Sequence, residues 1–303
     1  MEQAPLRLGL LGFGEAGYHF AKGLARAGLR GIVAYSRAGA RAGPGDPVRA
    51  RALEAGVELV ATPRELCRRA DLILSLVPGK NALAALRSVR RHLAPGHLYV
   101  DATAASVEAM ERAAALLEGS ASFVDAAIMG PVPIEGTGVL VLASGPHAAR
   151  LQALLAPYGM NIQVIGERPG AASAMKLVRS IFMKGLAALL IETLEAAERG
   201  GIRDAVARDL ARWMDAQPFE RVMRRFVCGT AVHAARRVHE MQDALALLRA
   251  LGSSTRMTRA TRAVIRSIAR RGLGERFGGR EPENIAPVIE ALAGADPTAN
   301  REP

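Results

Sequence analysis

The chain has 303 residues, half of them hydrophobic, with 40 lysines and arginines against 29 acids and a formal net charge of +11. That length suits about two domains, and the apolar share excludes intrinsic disorder as the main state. A basic balance raises nucleic acid as a partner, but with 4% aromatics the chain lacks the rings of a base-stacking surface, and nucleic acid is set aside.

Leu6 to Gly12 reads as a strand, Glu15 to Gly28 as a helix, and Gly31 to Tyr35 and Val57 to Ala61 as further strands. Asp71 to Val77 is a buried-strand pattern ending at Pro78, and His97 to Asp101 another, followed by a helix from Ser106 to Leu117. Ser122 to Ala127, Gly138 to Ala143 and Asn161 to Ile165 complete the strands. Strands alternating with helices at this spacing indicate a doubly wound, mostly parallel α/β sheet. Beyond Pro169-Gly170 the character changes. Ala171 to Arg199 reads as one long helix ended by Gly200-Gly201, with further helices over Arg203–Ala216, Pro218–Val227, Ala231–Leu251, Thr255–Arg271 and Pro282–Ala293. The expected division is a sheet domain over 1–168 and an all-helical domain over 169–303. A polar tail follows Gly294 and reads as frayed.

Gly12, Gly14 and Gly17 form Gly-x-Gly-x-x-Gly at the point where the first strand runs into the first helix. In that context the three glycines have separate uses. The first permits a tight turn, the second lets the backbone approach a pyrophosphate, and the third lets helix and strand pack closely. The helix N-terminus then offers free N–H groups to the phosphates. Gly12, Phe13, Gly14, Glu15, Ala16 and Gly17 are therefore candidate cofactor contacts on a Rossmann-type domain. About 20 residues on, where an acid would select NAD, the chain has Ser36-Arg37 with Arg41 behind and no acid before Asp46. A guanidinium grips a 2′-phosphate that a carboxylate would repel, so NADP is the expected cofactor, with NAD the alternative. Solvated loop charges would leave the same pattern.

With this start, Asp101-Ala-Thr103, Asp125-Ala-Ala and a long helix bearing Lys176, the chain resembles the β-hydroxyacid dehydrogenase superfamily. Its flavour is that of the phosphogluconate dehydrogenase-like branch, on Lys176-Leu-Val-Arg179-Ser180 and His233-Ala-Ala-Arg236-Arg237. The resemblance implies an NADP-dependent oxidoreductase acting on an anionic hydroxy or oxo acid in a cleft between the domains. It further implies a homodimer or homotetramer built on the helical domain. Carried over by position, Val77, Pro78 and Thr103 would lie by the nicotinamide. Thr103, Met129, Gly130 and Arg179 would hold substrate, and Lys176 would transfer the proton with Ser180 hydrogen-bonding the substrate oxygen. The family's substrate serine is here Met129, and both asparagines after its lysine are Arg179 and Ser180. Losing hydrogen-bond partners in a dry pocket costs about 1–3 kcal/mol each, so the family's smallest acids should fit poorly.

On a helix Lys176, Arg179, Ser180 and Lys184 share one side, opposite Leu177 and Ile181; the wet side of an amphipathic helix looks the same. His233, Arg237 and His239 are candidates to clamp the substrate acid, or equally an intersubunit salt-bridge face. No His, Cys, Asp or Glu cluster has metal-ligand spacing, so no metal is expected. The distant Cys67 and Cys228 suit a reducing cytoplasm, the polar start is no signal peptide, and no apolar run reaches the ~18 residues of a membrane span. An imine or ketimine reductase and a non-catalytic NADP sensor are the rivals, the first disfavoured by Lys176. Residues 221–280 hold 14 arginines and three acids, an excess equal to that of the whole chain. It reads as a field for anionic substrate, or a charged subunit interface.

Overall fold

Short runs of Leu, Ile, Val and Ala, buried on both sides, make the strands of the first unit, and polar helix starts separate them. The structure, a computed structural model, describes residues 5–294. In order come β1 (Leu8–Leu11), α1 (Glu15–Arg26), β2 (Ile32–Tyr35), α2 (Arg37–Arg41), α3 (Pro47–Glu54), β3 (Val57–Leu59), α4 (Pro63–Arg69) and β4 (Leu72–Ser75). They are followed by α5 (Ala82–Arg90), β5 (Leu98–Asp101), α6 (Val107–Leu117), β6 (Ser122–Ile128), α7 (Val132–Glu135), β7 (Val141–Ser144), α8 (Ala148–Leu155) and β8 (Ile162–Gly166). The strands form one sheet in the order β3-β2-β1-β4-β5-β6-β7-β8, in which β6 and β7 pair antiparallel and the other neighbours parallel. Strand order reverses between β1 and β4, the switch point where doubly wound sheets hold ligands. Alternate side chains feed two cores. Leu8, Leu10, Ile32, Leu72 and Leu98 pack on one face of the sheet. Leu11, Val33, Ile73 and Tyr99 pack on the other.

The helical part comprises α9 (Ala171–Arg199), α10 (Arg203–Asp215), α11 (Phe219–Ala250), α12 (Arg256–Arg270), α13 (Leu273–Arg276) and α14 (Ala286–Ala293). The chain divides into two compact units, 1–181 and 182–303, with the first part of α9 counted with the sheet. In the helical unit Cys228, Ala231, Leu273 and Val288 form a small core. The buried Glu192 accepts from Ser254 Oγ (2.8 Å), Met257 N (3.0 Å), Thr258 N (2.8 Å) and Thr258 Oγ1 (2.8 Å), and so caps the start of α12 from α9. Burial alone would raise this carboxyl, but those bonds outweigh it and hold it at about 2.

Seven helices lie outside those named from the sequence: α2, α3, α4, α5, α7, α8 and α13, each of nine residues or fewer. The separate helices expected over Pro218–Val227 and Ala231–Leu251 are one helix, α11, kinked at His233 (φ −105°, ψ 20°). Gly229 does not break it, because the glycine serves packing: a Cβ there would stand 3.0 Å from Glu281 Oε1. The last helix starts at Ala286, four residues later than Pro282, because Asn284 Oδ1 accepts from Ala286 N at 3.1 Å in a turn.

Candidate active site

Each glycine of the first turn behaves differently. Gly12 has φ +103°, a conformation that side chains resist, and its N–H donates to Tyr35 O at 2.8 Å. A Cβ on Gly17 would lie 2.9 Å from Gly12 O, whereas one on Gly14 would meet nothing within 4 Å. Space is therefore left only where a ligand's phosphates would approach, at the start of α1, whose first-turn N–H groups receive no side-chain cap. From this turn a cavity of about 800 Å³ extends between the ends of β1, β2 and β4. Gly12, Phe13, Gly14, Tyr35, Ser36, Arg37, Val77 and Pro78 line it, together with Leu76, Asn81 and Ser88, which the sequence did not single out. Glu15, Ala16, Gly17 and Arg41 do not line it. Phe13 is turned into the core beneath.

At the far end, Ser36 Oγ accepts from Gly39 N at 2.9 Å and caps α2, which fixes where Arg37 leaves the strand. The first acid, Asp46, is occupied: its Oδ1 accepts from Val48 N at 2.9 Å and caps α3. The cavity thus offers a phosphate cradle at one end and a guanidinium at the other, and a nicotinamide dinucleotide fits that chemistry.

The turn after β5 is tightly built. Asp101 Oδ1 accepts from Thr103 N at 3.0 Å, and Ala104 is, among the described residues, the one non-glycine with positive φ (+50°). Such strain costs about 1–2 kcal/mol and collects at ligand-holding turns. Gly79 lets the loop after β4 close on this turn, since a Cβ there would lie 3.3 Å from Thr103 O. Asp101 is fully buried and its Oδ2 has no hydrogen-bond partner, as is also true of Thr103 Oγ1, Ser75 Oγ and Tyr99 OH. Burial pushes the Asp101 carboxyl up to about 6 against the pull of its bond to Thr103. Another cavity, of about 470 Å³, is lined by Gly79 and Lys80 with Ala82, Leu83, Ala104, Ala105, Ala109 and Leu177.

Lys176 and Ser180 lie half-buried on α9, on the side that carries the buried Ala172 and Ser173. The opposite, apolar side is the exposed one, with Val178 67% and Ile181 74% accessible. Of the polar stripe, Lys176 and Ser180 are thus on the half-buried side of the helix start, whereas Arg179 and Lys184 are exposed. Arg179 donates to the Met129 carbonyl, which ties α9 to the end of β6. Met129 itself packs with Ala127, Leu142 and Ala172, and Gly130 makes room for Glu135, whose Oε1 would stand 2.3 Å from a Cβ. His233, Arg237 and His239 lie in the helical unit. There His233 Nε2 stands 3.9 Å from Glu281 Oε1, Arg237 Nη1 donates to Thr230 Oγ1 at 2.5 Å, and His239 is exposed.

The NAD binding domain of 6-phosphogluconate dehydrogenase matches residues 7–166, and a domain of unknown function, DUF1932, matches 197–268. A conserved hypothetical protein from Sinorhizobium meliloti 1021 is 32% identical over 88% of this chain and 89% of its own, with a TM-score of 0.59. The conserved protein MTH1747, of unknown function and described as structurally similar to 3-hydroxyacid dehydrogenases, is 31% identical over 89% of this chain and 99% of its own (TM-score 0.58). An imine reductase from Myxococcus stipitatus, solved with NAD+, shares the fold at 20% identity, covering 95% of this chain and 100% of its own (TM-score 0.74). With the first match spanning more than half of its length, the chain belongs to the 6-phosphogluconate dehydrogenase-type family of the β-hydroxyacid dehydrogenase superfamily and is an NAD(P)-dependent oxidoreductase.

Proposed function

We propose that this protein transfers a hydride between NADP and an anionic hydroxy acid or oxo acid, with Lys176 as general acid and base. The single observation that carries the reading is the placement of Lys176 on the half-buried side of α9, beside Ser180 and one turn from a helix start buried in the sheet. The bound nicotinamide supplies or accepts the hydride. Lys176 holds at Nζ the proton that the substrate oxygen takes on reduction and gives up on oxidation. Ser180 adds a hydrogen bond to that oxygen, and Thr103, Met129, Gly130 and Arg179 hold the rest of the substrate. His233, Arg237 and His239 are proposed to clamp its acid group. On the cofactor side the turn from Gly12 to Gly17 takes the pyrophosphate. Arg37, supported by Arg41, takes the 2′-phosphate, because Asp46 is engaged elsewhere.

An imine or ketimine reductase is the second reading, favoured by the apolar Met129 and by the alanine-lined cavity beside Leu177. Residues 1–168 would bind the dinucleotide and 169–303 the substrate and a second subunit. A cytoplasmic homodimer or homotetramer through the helical part is the assembly we propose, supported by the exposed apolar side chains of α9. The test is a screen of carbonyl and hydroxy acids, with and without amines, followed by NADPH and NADH absorbance. Turnover of an anionic acid with NADPH is expected. Turnover confined to amine-containing mixtures selects the second reading, and a clear NADH preference sinks the role given to Arg37.

A further inference from the structure

We infer that Asp125 is a positioning residue for Lys176, acting through Ser144 and Ser173. The inference rests on the reading of Lys176 as the proton-transferring group. Helix α9 begins directly after Gly170, which has φ +93° and no side chain with which to cap it. Its first N–H groups therefore need acceptors from elsewhere. The antiparallel pair Asp125 and Ser144, opposite each other in β6 and β7, supplies them. Ala172 N donates to Ser144 Oγ at 3.0 Å and Ser173 N to Asp125 Oδ2 at 3.0 Å. The hydroxyls close the set, Ser144 Oγ donating to Asp125 Oδ2 at 3.0 Å and Ser173 Oγ to Asp125 Oδ1 at 2.6 Å.

All four residues are fully buried, so this lock sits on the sheet itself and not on a loop. Lys176 follows Ser173 by three residues, one turn along the same side. Around Lys176 α9 is otherwise lightly held, for Met175, Val178, Ile181 and Met183 are exposed. A rotation of about 10° at the helix start carries a group about 6 Å from the axis by about 1 Å. A misplacement of that size costs on the order of 10²-fold in rate. Asp125, fully buried, touches no substrate; it determines where the lysine stands.

The test uses the whole chain with Asp125→Asn and Ser173→Ala, the second being the milder change in case the first fails to fold. The chain has only four lysines, Lys22, Lys80, Lys176 and Lys184, so reductive ¹³C-methylation yields a small set of lysine signals in which Lys176→Arg identifies the one of interest. In folded variants the Lys176 signal alone is expected to shift or double, while Lys22, Lys80 and Lys184 stay in place. With the substrate found by the screen, kcat should fall by at least about tenfold with KM changed by less than about threefold and NADPH affinity retained. An unmoved Lys176 signal in a folded variant overturns the inference, whether or not kcat falls, and so does kcat within about twofold of wild type. Wild-type turnover in Lys176→Ala would instead remove the proton-transfer reading, and the lysine signals would still decide whether Asp125 sets the position of Lys176.

Discussion

Asp101 and Asp125 stand side by side in the register of β5 and β6, both fully buried, yet their surroundings differ in kind. Three donors converge on Asp125. Asp101 receives one, from Thr103 N, and is pushed by burial from 3.8 to about 6. A carboxyl with a raised pKa binds its proton more tightly in the folded state. Its contribution to stability is thus full below about pH 4 and is lost as pH rises through about 6. Asp101→Asn keeps an acceptor for Thr103 N–H and removes the charge. Denaturant titration at pH 8 should find the variant more stable than wild type by on the order of 1–3 kcal/mol, with a flatter profile between about pH 4 and 6. Destabilisation at pH 8 would mean that the ionised group is held by a partner. Next to it, the strained backbone of Ala104 closes the turn over Gly79, and neither feature has a mark in the sequence, because alanine is an ordinary residue wherever it stands.

Helix α9 spans Ala171 to Arg199, the bounds its sequence implies, since the segment has no proline and is stopped by Gly200-Gly201. What that sequence does not reveal is orientation. Lys176 and Ser180 lie half-buried while Val178 and Ile181 are exposed, which periodicity alone cannot decide. Nor could its capping be read, because the acceptors for Ala172 and Ser173 lie 28 and 48 residues away. Short helices such as α2 and α3 escaped for a related reason: an amphipathic period needs more than a turn or two to show. The glycine turn was legible because each glycine answers a local steric demand. Asn81 and Ser88 were not, since only folding brings them to the cavity.

In the other unit Glu192 gathers the start of α12 as Asp125 gathers that of α9. Glu192→Ala should lower the stability of the helical unit by about 2–4 kcal/mol, read by denaturant unfolding, because several donors lose one acceptor together. The carboxyl is depressed from 4.5 to about 2, so this contribution is present above about pH 4.5 and is lost as pH falls towards 2. The variant should accordingly lack that part of the acid transition. An acid profile the same as wild type would contradict the capping role.

Over the whole molecule the basic excess belongs to the helical part, where α12 carries Arg256, Arg259, Arg262, Arg266 and Arg270 and no acid. The apolar surplus belongs to α9, whose Ile181 and Ile191 are 74% and 70% accessible. Side chains of this kind on one helix would suit the proposed interface between copies of the chain. Sedimentation at micromolar concentration should show a dimer or larger, and Ile181→Glu with Ile191→Glu should shift it towards monomer. A monomeric wild type would remove the interface.

The proton is proposed to be handled by one lysine, set by the sheet. The most direct test of this role is Lys176→Ala, with NADPH binding and single-turnover rate measured on the same preparation. The expected result is NADPH affinity within about twofold of wild type and a rate lower by at least about 10²-fold. A rate within a few-fold of wild type would contradict it.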